Sequence, residues 1–189
     1  MLKLDVKLGA RSYPIHITSD YAKIADCIKE RTEYKRIVII TDSNVDKFYC
    51  QEVASSLRNN GYEVEKYVLD AGEKSKSLNT VSDIYQYLLD LKVDRESMLL
   101  ALGGGMVGDI TGFVAASFLR GIKFIQVPTS LLAQVDSSVG GKVGVNFQGI
   151  KNAIGSFYQP LLVYTNVNSL KTLPVNELKS GLTDYESKL

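Results

Sequence analysis

The chain has 189 residues, 45% of them hydrophobic and 23% charged, with a net charge of +1. That length holds one domain with a sizeable core or little more than one, and a charge so near zero argues against a nucleic-acid surface or an acidic solvating tail. No apolar run approaches the roughly 20 residues a membrane-spanning helix needs, and the start, MLKLDVKLGAR, alternates charge with apolar residues where a signal peptide would be continuously hydrophobic. Cys27 and Cys50 are isolated thiols without metal-ligand spacing, expected as small core hydrophobes in a reducing, cytoplasmic compartment. The single histidine, His16, lies in SYPIHI, where Tyr13, Ile15 and Ile17 are expected to point inward and His16 outward on a surface strand. A chemistry that needs two histidines could not be run by this chain alone.

Leu2, Leu4, Val6 and Leu8 alternate with Lys3, Asp5 and Lys7, the period of a half-exposed strand. Gly9-Ala10-Arg11 turns it into a second strand over 12–17, a hairpin, and Thr18-Ser19-Asp20 then starts a helix striped by Ile24, Cys27 and Ile28. From there strands and helices alternate. RIVIIT (36–41) is a buried strand, 45–59 a helix closed by Gly61, 62–69 a strand and 78–92 a helix. A buried strand follows at 97–102, a helix at 107–119 that stops at Gly121, and strands at 123–127 and 161–164. Such alternation predicts an α/β fold: a doubly wound, mainly parallel sheet with an N-terminal β-hairpin, a Rossmann-like variant. One domain is expected over residues 1–170, with 171–189 beginning another.

In open α/β sheets ligands bind beyond the C-terminal ends of the strands. Polar, glycine-bearing segments fall there four times: Thr41-Asp42-Ser43-Asn44, Asp70-Ala71-Gly72-Glu73-Lys74-Ser75-Lys76, Gly103-Gly104-Gly105-Met106-Val107-Gly108-Asp109 and Pro128-Thr129-Ser130. Gly103, Gly105 and Gly108 satisfy G-x-G-x-x-G, which lets backbone N–H groups approach a pyrophosphate at a helix N-terminus. The acid expected about 20 residues on is missing, Pro128 standing near that place, and the loop does not follow the first strand of the fold. Asp42 and Glu73 are then candidates to hold the ribose; a tight strand-to-helix turn without a ligand is the alternative.

The stretch from AQVDSSVGGK (133–142) to Asn152 is more specific. Lys142 and Lys151 are compact cations suited to phosphate and carboxylate groups. Asp136, Ser137 and Ser138 can order hydroxyls, and Gly140, Gly141, Gly144 and Gly149 keep the backbone open to a ligand. A flexible surface loop would not need Val139, Val143, Val145, Ile150 and Ile154 interleaved so regularly. Arg120, just before Gly121, suits either an anion contact or a helix-end cap.

These residues match a known pattern. TDSNV (41–45), GEKSKS (72–77), LGGGMVGDITGFVAASFLRG (102–121), QVPTSLLAQVDSSVGGKVGVN (126–146), KNAIGSFYQP (151–160) and LKTLP (170–174) resemble, in order, the N-terminal part of the 3-dehydroquinate synthase family. Sugar-cyclising relatives such as 2-deoxy-scyllo-inosose synthase share much of the pattern. Glycerol and iron-dependent alcohol dehydrogenases share the fold and a GGG loop but not VDSSVGGK.

The resemblance implies an enzyme that uses NAD transiently, oxidising and re-reducing one carbon of 3-deoxy-D-arabino-heptulosonate 7-phosphate so that phosphate leaves and the chain closes to 3-dehydroquinate. By the same resemblance Asp42, Glu73, Lys76, Gly104, Gly105, Asp109, Thr129, Ser130 and Thr172 fall at NAD positions. Asn44, Gly72, Lys74, Gly103 and Gly108 accompany them, with Lys142 and Lys151 shared between cofactor and substrate. Asp136, Lys142, Lys151, Asn152 and Arg120 fall at catalytic or substrate positions. The family continues approximately G-L-A-E-x-x-K, whereas here Gly181-Leu182 leads into Thr183-Asp184-Tyr185-Glu186-Ser187, so Asp184 stands where a metal-binding Glu is expected and Ser187 where a Lys is. The two metal-binding histidines would lie in a helical C-terminal domain missing from this chain. The implied protein is therefore a truncated half with an incomplete zinc or cobalt site, binding NAD without turnover. The intact form would be a cytoplasmic homodimer acting on a small sugar phosphate, with neither nucleic acid nor membrane as partner. A nucleotide-binding module without catalysis is the rival from another class.

Overall fold

The computed structural model describes residues 1–186, with the backbone alone at Ser180 and at 183–186. Strand β1 (Leu2–Val6) pairs antiparallel with β2 (Tyr13–Thr18), Leu4 opposite Ile15, around a 3-10 turn at Gly9–Arg11. Helix α1 (Ile24–Lys29) leads to β3 (Arg36–Asp42), and a wide π turn, Asp46–Cys50, opens α2 (Gln51–Arg58). There follow β4 (Glu63–Leu69), α3 (Leu78–Asp90), β5 (Ser97–Gly103), α4 (Gly105–Ser117) and β6 (Lys123–Pro128). The chain ends with β7 (Lys142–Phe147), β8 (Ile150–Phe157), β9 (Val163–Asn166) and α5 (Val175–Glu186).

Seven strands form one sheet in the order β1-β2-β9-β6-β5-β3-β4, parallel throughout except for the β1–β2 pair. The period of two sorts the central strands onto two faces. Ile37 and Ile39 pack with α1 and α2, while Val38 and Ile40 pack with α3 and α4, and all four are fully buried. A sheet covered on both faces is what a near-continuous apolar strand such as RIVIIT requires. Both cysteines sit in the first of these cores. No helix among the described residues is long and apolar enough to cross a membrane.

The doubly wound order follows the pattern of the sequence, but four details depart from it. The glycine-bearing stretch after residue 140 is a two-stranded hairpin, β7–β8, whose turn at Gln148–Gly149 has φ of 48° and 80°, the double left-handed geometry of a tight hairpin. Its inward residues Val143 and Val145 are buried against α4, which accounts for the interleaved apolar positions. His16 is buried, not on the surface, because β2 lies between β1 and β9 rather than at an edge. Both its ring nitrogens are without hydrogen-bond partners among the described residues, and burial, helped by Lys3, lowers its pKa. β1, expected half-exposed, shows its apolar side to solvent as well, Leu2 at 57% and Leu4 at 48% exposure. Finally, α4 starts two residues earlier than its apolar pattern, at Gly105, and ends at Ser117, with Leu119 and Arg120 left-handed beyond it.

The hairpin can lie against α4 only because Gly112 has no side chain. A Cβ there would meet Val143 Cγ1 at 2.3 Å and Val143 Cβ at 3.0 Å. Overpacking costs roughly 1–3 kcal/mol, partly offset by the helix preference of Ala over Gly, about 1 kcal/mol. Gly112→Ala should therefore lower the stability measured by urea unfolding, a net loss of up to about 2 kcal/mol. Stability raised by about 1 kcal/mol, the helix preference alone, would show that the hairpin does not press on α4.

Candidate functional site

The sheet order places a topological switch point between β3 and β5: β4 lies to one side of β3, and the chain returns across it to start β5 on the other. The four strand ends carrying the polar segments belong to the adjacent parallel strands β4, β3, β5 and β6, so they open on one edge. Thr41 Oγ1 donates to the Leu102 carbonyl at 2.8 Å across the switch point, and Thr129 N–H to the Gly103 carbonyl at 2.9 Å beside it. Such a crevice is where doubly wound folds bind their ligands.

Each predicted residue takes a definite place at or away from this edge. Asp42 is buried at the end of β3, its Oδ1 accepting the N–H groups of Asn44 at 2.9 Å and Val45 at 3.1 Å. Ser43 ties this turn to the next loop through Ala71 N–H, 3.3 Å from its hydroxyl. Gly72, at φ 112°, starts a 3-10 turn over Glu73–Ser75, with Glu73 and Lys74 exposed. Gly103 and Gly108 are packing positions, since a Cβ would run into Val107 at 2.6 Å or the Gln126 amide at 2.8 Å. Gly104 and Gly105 face hydroxyls instead, Ser130 Oγ and Ser137 Oγ lying 3.4 Å and 3.0 Å from where their Cβ atoms would be. Helix α4 begins here with Gly104 as its N-cap and no side-chain cap, so its first N–H groups and dipole face the crevice. Thr172 lies beyond β9, its hydroxyl 2.5 Å from the Tyr49 phenol.

A second group gathers beside α4. Lys76 is almost wholly buried, and its ammonium donates at 2.5 Å to both Asp109 Oδ2 and Asn152 Oδ1. Asn152, in a left-handed conformation at φ 52°, receives its own support from Asn146, whose Oδ1 accepts the Asn152 N–H at 2.9 Å. Asn146 also donates to Glu73 Oε1 at 2.8 Å and, through its backbone, to the Lys76 carbonyl at 3.0 Å. Between α4, the 133–139 turn and the hairpin lies a cleft of about 500 Å³, lined in part by Asp109, Asp136, Ser137, Lys142 and Asn152. Ser138, in the same turn but not lining the cleft, has a buried hydroxyl without a hydrogen-bond partner among the described residues. Burial pushes the Asp109 carboxyl above the ordinary carboxylate range, and Lys76 pulls it part of the way back.

Two predicted residues are not brought to this cleft. Arg120 is exposed past the far end of α4, roughly 20 Å from Gly105 at 1.5 Å per helical residue. Lys151 is exposed on β8 and does not line the cleft. The side chain of Asp184 lies outside the described residues. No three His, Cys, Asp or Glu side chains gather as a metal site among the described residues. Sequence reading passed over Asn146 and Gln134, the latter donating to the Pro128 and Asn166 carbonyls and to Ser169 Oγ. An Asn within a strand of alternating valines, where Asn is depleted, was the available signal for the first.

A switch-point crevice served by an uncapped, glycine-led helix marks the Rossmann-like class of doubly wound α/β domains. A family profile described as 3-dehydroquinate synthase N-terminal matches residues 66–180, and the chain belongs to that family. It is 60% identical over 184 residues to a 3-dehydroquinate synthase of Acetivibrio thermocellus, covering 97% of this chain and 51% of that one. A 3-dehydroquinate synthase of Desulforamulus reducens is 50% identical over 182 residues, covering 96% and 51%. The chain thus spans about half the length of the curated relatives it matches. Among solved structures, 2-deoxy-scyllo-inosose synthase complexed with carbaglucose-6-phosphate, NAD+ and Co2+ superposes with a TM-score of 0.88 at 26% identity, over 96% of this chain and 49% of that one. A 2-epi-5-epi-valiolone synthase from Streptomyces hygroscopicus, with NAD+ and Zn2+ bound, gives 0.83 at 26% identity over 97% and 50%.

The raised Asp109 pKa has a sign that unfolding can read. An unfolded Asp titrates near 4, below the folded group, so the native state takes up this proton first as the pH falls. Between those two pKa values Asp109 adds stability on acidification, the reverse of an ordinary salt-bridged carboxylate. Wild type should therefore gain stability relative to Asp109→Asn as the pH falls through that window, measured by urea unfolding of both at several pH values. A relative loss would mean that Lys76 outweighs burial.

Proposed function

We propose that this chain is the nucleotide-binding half of a 3-dehydroquinate synthase, holding NAD and part of the substrate site, while turnover belongs to the longer protein. The observation that carries the reading is the start of α4: bare backbone at Gly104 and Gly105, an uncapped N-terminus, and the hydroxyls of Ser130 and Ser137 opposite. This cradle fits a pyrophosphate, which wants N–H donors and tolerates no side chain. NAD supplies a reversible two-electron oxidation of one substrate carbon. The chain's own residues orient and hold: Asp42, with Asn44 in its turn, and Glu73, beside Gly72 and Lys74, face the ribose hydroxyls. Thr129, Ser130 and Thr172 border the crevice, and Lys76 fixes Asp109 and Asn152 beside it.

In the adjoining cleft Lys142 meets the phosphate or carboxylate of the sugar phosphate and Asp136 orders its hydroxyls. Lys151 and Arg120 lie away from this chain's cleft and would serve as anion contacts only in the assembled enzyme, which we read as a cytoplasmic homodimer without nucleic-acid or membrane partners. Residues 1–170 form the nucleotide domain and 171–189 begin the domain that carries the zinc or cobalt site, to which Asp184 contributes. A second reading, a cyclase for a different sugar phosphate, draws on the structural likeness to 2-deoxy-scyllo-inosose synthase. The 60% identity to a named 3-dehydroquinate synthase favours the first.

Calorimetric titration of the purified chain with NAD should show saturable one-site binding. Gly104→Val, whose backbone φ of −74° tolerates a side chain, should stay folded and lose that binding. Phosphate release from the heptulosonate phosphate should be absent with the chain alone and appear when the C-terminal half of a 60%-identical relative is added. Binding unaffected by Gly104→Val would remove the nucleotide assignment. Turnover by the unaided chain would instead overturn the division of labour.

A further inference from the structure

We infer that Tyr13 and Gln159 are positioning residues that aim Lys142 into the cleft by fixing the two glycines before it. The inference rests on the reading of Lys142 as an anion contact of the substrate site, and neither Tyr13 nor Gln159 lines the cleft. Tyr13 belongs to β2, is 2% exposed, and its phenol oxygen accepts the Gly140 N–H at 3.2 Å. The Gln159 side chain donates through Nε2 to the Gly140 carbonyl at 3.0 Å, and the Tyr158 N–H donates to the Gly141 carbonyl at 2.8 Å.

Three successive peptide planes are thus each held by one hydrogen bond. The plane from Val139 to Gly140 is held by Tyr13, the next by Gln159, and the plane from Gly141 to Lys142 by the Tyr158 backbone. These planes need holding. Gly140 and Gly141 have φ of 92° and 69°, and glycine has the widest backbone freedom of any residue. The pair joins the turn that carries Asp136 and Ser137 to Lys142 at the start of β7, so its dihedrals set the lysine against the other side of the cleft. Tyr13 is a firm support because β2 is paired on both sides, by β1 and β9. Gln159 can come so close only because Gly141 is bare, since a Cβ there would lie 2.6 Å from Gln159 Nε2. The other atom of that amide, Oε1, is buried without a hydrogen-bond partner among the described residues. Buried polar atoms are nearly always paired, so a side chain kept only for packing would not carry this burden.

Tyr13→Phe and Gln159→Met test this, since each removes a hydrogen-bonding group and keeps the size of the side chain. In the chain itself the Gly140 amide should be protected from hydrogen exchange, read by NMR. Tyr13→Phe should speed that exchange about five-fold, the weight of one neutral hydrogen bond, with NAD affinity unchanged. With the C-terminal half of the 60%-identical relative added, each variant should raise KM for the heptulosonate phosphate about five-fold and leave kcat unchanged, the signature of a weakened binding contact. A purely structural role would instead lower the active fraction, and so kcat, at unchanged KM. On a Lys142→Ala background both changes should add nothing to KM, because they act through that lysine. Gly140 exchange unmoved by Tyr13→Phe would show that there is no clamp. Faster exchange with an unchanged KM, or effects that add to Lys142→Ala, would overturn the positioning role. A wild-type KM in Lys142→Ala alone would remove the anion reading beneath it, and absence of turnover in the complemented wild type would remove the proposed function itself.

Discussion

The buried ammonium of Lys76 is the point on which the functional edge of this domain is assembled. It comes from the loop after β4 and reaches Asp109 on α4, 33 residues on, and Asn152 on β8, 76 residues on. Its own carbonyl receives β7 through the Asn146 N–H. A charge with 7% of its side chain exposed persists only while its partners stay in place, because stripping one from a buried pair costs about 3–5 kcal/mol. That requirement sets the hairpin against α4, and the cleft is the space left between them.

Beneath this rim the sheet supplies rigidity. Its central strands are covered on both faces by the chain's own helices, and hydrogen bonds at the strand ends lock β3 to β5 and β6 to β5 just below the glycine loop. The start of α4 is consequently held by packed elements, not by a loop, and its two open glycines keep their spacing without a ligand. Close packing at Gly103 and Gly108 and open backbone at Gly104 and Gly105 are neighbouring demands of one turn, which explains why four of six residues there are glycine.

What the sequence made legible was the local part of this design. Alternating strands and helices, the glycine turn and the polar strand ends are all specified by neighbouring residues, and they are found where the pattern put them. Contacts between distant segments were not legible in the same way. His16 reads as an outward residue from SYPIHI alone, and only the return of β9, about 150 residues later, buries it. The hairpin was hidden because four glycines read as open loop, although Val143, Val145 and the Gln148-Gly149 turn carried the strand signal. Lys76, Asp109 and Asn152 could be named separately, but their convergence depends on the crossover that brings β5 beside β3. Arg120 illustrates the opposite case: it adjoins the glycine loop in sequence through one helix, and the length of that helix carries it away.

The state of burial also divides the chemistry between what this chain completes and what it leaves to a covering surface. The strand-end edge combines packed backbone at the glycine loop and the buried Asp42 with the exposed Glu73 and Lys74. Lys142 and Asp136 are exposed on the cleft rim, Lys142 opposite Phe157 across the hairpin and Asp136 next to Val135, which are 73% and 47% exposed. A unit charge pair at 4 Å is worth about 1 kcal/mol in water and about 4 kcal/mol where the effective dielectric constant is near 20. A lysine so placed would hold an anion strongly only where water is excluded around it. An apolar side chain beside an exposed cation is suited to such a cover, since packing on Phe157 would bury hydrocarbon while drying the charge beside it. On the proposed function, cofactor affinity and catalytic competence would therefore be separable: the first would depend on the packing around the glycine loop, the second on the dielectric of a cleft with one side open.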